Sequence, residues 1–95
     1  MGNIEKNYEE MKRYYLMAFE RGRTDAIFQL AYHYRRIGNY EEMKRHYLMA
    51  IERGNEDAMF QLAYHYRDIE KNYEEMEKYF LMVPGTKKYI KVFKF

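Results

Sequence analysis

The chain copies itself, and nothing else in it limits the fold as much. Setting residues 7–35 over residues 39–67, a shift of 32, leaves 24 identities in 29 positions. The word IEKNYEEM at 4–11 recurs at 69–76, a shift of 65, because the last connector is one residue longer than the one containing Gly38. A unit of 32 or 33 residues is too short to bury its own apolar face, so successive copies must shield one another.

Each copy holds two helical patterns. Ile27, Leu30, Ala31 and Tyr34 fall at i, i+3, i+4 and i+7, as do Met59, Leu62, Ala63 and Tyr66 one copy later, which places them on one face of a leading helix. Tyr40, Met43, Tyr47, Ala50 and Ile51 form the face of a trailing helix, matched by Tyr8, Met11, Tyr15, Ala18 and Phe19 and, in part, by Tyr73, Met76 and Phe80. Asn7, Asn39 and Asn72 each stand three residues before a glutamate, at Glu10, Glu42 and Glu75; the asparagine can then accept from an exposed amide while the glutamate reaches back. Arg21-Gly22 and Arg53-Gly54 supply a cation in the last turn and a residue suited to a left-handed stop. Thr24 or Asp25, and Asn55 or Asp57, are the candidate caps of the leading helices.

These signals predict an all-α chain with an array at 1–83, made of a half unit at 4–22 and full units at 23–54 and 55–83, and a basic tail at 84–95. Pro84 removes an amide and stops the last trailing helix near Met82. Setting Gly85 and Thr86 against Gly54 and Asn55 brings Ile90 onto Met59 and Phe93 onto Leu62, so the tail reads as a degraded leading helix that closes the stack. A short strand over 89–95 is the alternative, since those residues favour extended backbone.

With 47% hydrophobic and 34% charged residues, one proline and five glycines, the chain has the means to form a packed core. The absence of cysteine excludes disulfides, thiolate metal sites and cysteine nucleophiles. No apolar run approaches the about 18 residues of a membrane span, and no secretory h-region is evident, so an intracellular location is expected. Lys87, Lys88, Lys91 and Lys94 lie in the tail without an acid, leaving thirteen bases against fifteen acids over residues 1–82. So faintly acidic a body is a poor match for nucleic acid. Contact with RNA or an anionic membrane is open only to the tail, as a free amphipathic helix.

Catalysis is not expected. The chain has no serine and no phosphate-cradling glycine loop. The pairs Glu9-Glu10, Glu41-Glu42 and Glu74-Glu75 are explained by capping, and neighbours on a helix diverge by about 100°. His33 and His65 are equivalent, but neighbouring helices stand about 8–10 Å apart and no H-E-x-x-H is present, so they read as flank residues and not metal ligands. No metal or cofactor is therefore expected. His46 replaces Tyr14 at its position, which reads as a tolerant site.

The repeat resembles the tetratricopeptide repeat and its relative, the Sel1-like repeat. Ile27 takes the large leading position, Leu30 and Ala31 the leucine and small-residue positions, and Tyr34 the first aromatic; Gly38 and Tyr40 take the turn, followed by Tyr47 and Ala50. The segment ERGNEDAMFQLAYHY, with Ala58 opening its helix, is similar to Sel1-like units. YEEMKRYYLMA and ERGNEDA are similar to repeats common in proteins of large DNA viruses of amoebae. The resemblance implies a short right-handed α-solenoid of stacked helix-turn-helix units whose leading helices line a concave, peptide-holding groove. Met11, Met43 and Met76 stand where a small residue is usual, which implies wider helix spacing.

The groove candidates are Phe28, Gln29, Tyr32, Arg35 and Arg36 on the first leading helix and Phe60, Gln61, Tyr64 and Arg67 on the second. They combine aromatic faces with guanidinium groups able to grip a carboxylate. In the competing reading Phe28 and Phe60 simply pack between leading helices. The function expected is a non-enzymatic protein-interaction module for a protein or peptide ligand, with self-association through exposed stack ends; the alternative is a fragment of a longer repeat array with no independent activity.

Overall fold

A computed structural model describes residues 3–85, with side chains described from residue 7 onward. Among these residues the chain is all-α: α1 (Asn3–Glu20), α2 (Thr24–Arg36), α3 (Tyr40–Glu52), α4 (Glu56–His65), a π-helical turn (Tyr66–Glu70) and α5 (Tyr73–Met82). Each helix packs on its neighbours in the chain, most extensively α2 on α3. The result is elongated, 49 × 28 × 13 Å. Its radius of gyration of 14.8 Å exceeds the about 12 Å of a compact chain of this length. No helix among the described residues is long and apolar enough to cross a membrane. The readings of the tail fall largely on residues 86–95, outside the described residues.

The predicted stripes are the core. Ile27, Leu30, Ala31 and Tyr34 of α2, Met59, Leu62 and Ala63 of α4, Met43, Tyr47 and Ala50 of α3, and Met76 and Phe80 of α5 are all buried. Helices of 10 to 13 residues are marginal in isolation. Burying one Leu or Ile side chain contributes roughly 1.5–3 kcal/mol, so these stripes and not local propensity hold the elements in place. The ring contacts recur at the sequence period. Tyr8 meets His33 across α1 and α2 at 5.0 Å between ring centroids, and Tyr40 meets His65 across α3 and α4 at 4.9 Å. Within the pairs, Phe28–Tyr47 at 5.5 Å is matched by Phe60–Phe80 at 6.1 Å.

His46 is not at a tolerant site. It is buried, with its ring 5.1 Å from Tyr34 and its Nδ1 donating to the Glu42 carbonyl at 2.7 Å. The equivalent Tyr79 is also buried, stacked on Tyr66 at 5.7 Å, whereas Tyr14 is 74% exposed. The position belongs to the core wherever a leading helix lies beside it, and among the described residues none lies beside that face of α1.

The caps hold in part. Asn39 and Asn72 each accept from the amide three residues on, Glu42 N and Glu75 N, at 3.3 Å, and Asn55 accepts from Ala58 N at 2.9 Å. Glu42 does not reach back; its carboxylate is taken by Arg45 Nη2 at 2.9 Å. Thr24 does not cap α2. The position equivalent to Asn55 is Arg23, which supplies no side-chain acceptor, and Thr24 is already helical. Gly22 and Gly54 stop their helices at φ of 95° and 84°. No base of α1 lies in its own last turn; instead Arg53 donates Nη1 to the Phe19 carbonyl at 3.2 Å and lies 4.1 Å over the Phe19 ring.

Asn7 is likewise not a cap, because α1 runs straight through it. The identical octapeptide at 69–76 breaks instead: Glu70 closes the π-helical turn, Lys71 is left-handed at φ 56°, and Asn72 caps α5. Neighbouring structure decides between the two. At 69–76 the chain is arriving from α4 and must reverse to lay α5 against it; among the described residues no helix stands before 4–11 for α1 to fold back on. The extra residue of this connector is absorbed by the wider turn. Asn39 N closes on Tyr34 O at 2.9 Å, five residues back, and Asn72 N on Tyr66 O at 2.8 Å, six residues back.

Candidate interaction surface

The outward faces of α2 and α4 carry Tyr32 and Tyr64, 41% and 37% exposed. Each ring has its own guanidinium beside it, Arg35 at 5.9 Å from the Tyr32 centroid and Arg67 at 5.0 Å from that of Tyr64. Arg35 Nη1 also donates to Gln61 Oε1 at 2.9 Å, tying the two leading helices into one surface. At this junction lies a concavity of about 210 Å3 lined by Arg35, Tyr40, Gln61, Tyr64, His65, Asp68 and Ile69.

The predicted residues divide into three groups. Gln29, Tyr32, Arg35 and Arg36 are exposed, and Gln61 and Tyr64 line the concavity. Phe28 and Phe60 are half-buried against the core, on Tyr47 of α3 and Phe80 of α5 respectively, so each packs onto its own trailing helix. Arg67 is committed to Asp68 through Nε at 2.8 Å and Nη2 at 3.0 Å, which holds the Asp68 carboxyl below its ordinary range. Tyr40, His65, Asp68 and Ile69 were not among the predicted lining. For the last two the usable signal was the longer connector, which the chain absorbs in the π-helical turn that carries them.

That connector also creates a brace. His65 Nε2 lies 2.7 Å from Glu70 Oε2, and the same carboxylate pairs with Lys44 of α3. The Lys44 hydrogen bond lowers the Glu70 carboxyl and, reciprocally, Glu70 raises Lys44. His33 lacks the counterpart: Gly38 stands where Glu70 would, and His33 Nε2 is buried with no hydrogen-bond partner. No group of three or more His, Asp or Glu side chains suited to a metal ion occurs among the described residues.

A second concavity, of about 350 Å3, lies on α1 and is lined by Glu10, Arg13, Tyr14 and Met17. It occupies the face that, one unit later, presents the buried His46 to α2.

No family model, curated protein or solved structure matches the chain.

Proposed function

We propose that the chain is a short α-solenoid of the tetratricopeptide/Sel1-like type, acting as a non-enzymatic interaction module whose protein or peptide ligand lies across α2 and α4. The observation that carries this reading is the Arg35–Gln61 bond, which joins two exposed, equivalently placed tyrosines into one wall. Tyrosine buries large contact area at small entropic cost, and arginine adds directional donors, the combination enriched at binding hot spots. The concavity between the helices admits a single side chain and not a whole small molecule, in keeping with an anchor on an extended ligand.

Affinity capture with the double variant Tyr32→Ala/Tyr64→Ala tests the reading. Loss of the captured partner with an unchanged circular-dichroism spectrum supports a binding wall. Loss of helicity instead assigns both rings to the core.

A further inference from the structure

Among the described residues every connector places a left-handed residue just before the N-cap of the next helix: Gly22, Gly38 and Gly54 at φ of 95°, 79° and 84°, and Lys71 at φ 56°. The first three connectors meet that demand with glycine. The α4–α5 connector meets it with lysine, whose Cβ makes the left-handed region costly. The same connector lies in the octapeptide 69–76, whose identical copy at 4–11 runs through α1 as unbroken helix. Ahead of Lys71 the backbone is already wound, as a π-helical turn none of whose residues is fully buried. Only Lys71 and Asn72 stand between that turn and α5, so returning these two to helical geometry joins 56–82 into one straight helix.

Two polar contacts belong to the closed hairpin alone. Asn72 caps α5 by accepting from Glu75 N at 3.3 Å. His65 Nε2 lies 2.7 Å from Glu70 Oε2, and that carboxylate also holds Lys44 of α3. Residues five apart come together in π-helical winding but diverge by about 140° on an α-helix, so straightening breaks the His65–Glu70 contact. Opening also strips α5 from α4: Met76, Tyr79 and Phe80 are buried, with the Phe80 ring 6.1 Å from Phe60 and 5.7 Å from Tyr64. A lone open chain therefore exposes a core face. A second open copy covers it with the same residues, because its α4 is the same surface, and the left-handed lysine is relieved in both chains.

We propose that the α4–α5 connector is a hinge, latched by Glu70, through which two copies of the chain exchange α5. In the exchanged dimer 56–82 is straight in each copy, and α5 of one packs on α4 of the other. The turn carries Asp68 and Ile69, so the exchange takes both away from the α2–α4 concavity.

The test is sedimentation velocity on the 95-residue chain, refolded from urea over a wide range of concentration, combined with a distance measurement across the hinge. Spin labels at Asp57→Cys and Leu81→Cys occupy exposed sites near the start of α4 and the end of α5. Doubly labelled chains diluted in unlabelled ones report the distance within one copy, under about 20 Å in the closed hairpin and about 36 Å along the straight helix. The expected result is a dimer that grows with concentration and gives the long distance. Lys71→Gly eases the closed form and burdens the straight one, and should weaken dimerisation at least about tenfold. Asn72→Ala and Glu70→Gln each remove a contact made only in the closed form, and should strengthen it several-fold. A chain that stays monomeric at every concentration, a dimer that keeps the short distance, or a dimer unaffected by Lys71→Gly overturns the hinge.

Discussion

Lys6 and Lys71 occupy the same place in two copies of one octapeptide, yet Lys6 lies inside α1 and Lys71 is left-handed at φ 56°. Opposite effects of one substitution follow. Lys71→Gly should raise stability by up to about 1 kcal/mol, since glycine adopts that conformation without a Cβ clash. Lys6→Gly should lower it by about 1 kcal/mol, the ordinary cost of glycine within a helix. Urea-denaturation midpoints of the two variants check this; a shift of the same sign in both would contradict it.

The repeat period made the order and pairing of the described helices legible, because burial of each stripe needs only the i, i+3, i+4, i+7 spacing of residues such as Ile27 to Tyr34. Context was not legible. IEKNYEEM carries the same asparagine and glutamate in both copies, and only the helix arriving from α4 decides that Asn72 caps and Asn7 does not. The same holds for His46 and Tyr14, whose difference in burial comes from a neighbouring helix and not from their own side chains. At the candidate surface, Tyr32, Arg35, Gln61 and Tyr64 were readable as the face left over by the core. The pairing of Arg67 with the adjacent Asp68 and the orphaned hydroxyl of Tyr47 depend on rotamers and packing that periodicity does not encode.

Acid should destabilise the fold from just above neutrality's lower edge. Burial lowers His46 from its usual 6.5, so the unfolded chain binds the proton more readily than the folded one. The stability this contributes is complete above about pH 6.5 and is lost as pH falls through that value toward the folded pKa. Glu70, lowered by Lys44, adds a loss that begins below its usual 4.5 and is damped by its partial exposure. His46→Tyr, which installs the residue of both equivalent positions, should reduce the difference in melting temperature between about pH 7.5 and about pH 5. An undiminished difference would assign the acid sensitivity to other groups.

Tyr47→Phe should stabilise the chain. The hydroxyl is buried without a partner, and removing such a group recovers roughly 1 kcal/mol of desolvation cost while leaving the ring on Phe28. Phe80 shows that the position accepts the smaller side chain. Thermal melts give the comparison. A clear loss of stability would mean that the hydroxyl is satisfied in the folded chain.

The most direct measurement places a photo-crosslinking benzoylphenylalanine either at Tyr64, on the shared wall of α2 and α4, or at Leu48, equally open to solvent on α3 at 41% exposed. A ligand seated across the leading helices gives a partner adduct from position 64 and none from position 48. Adducts from position 48 alone would place the ligand on α3 and contradict the proposed binding surface.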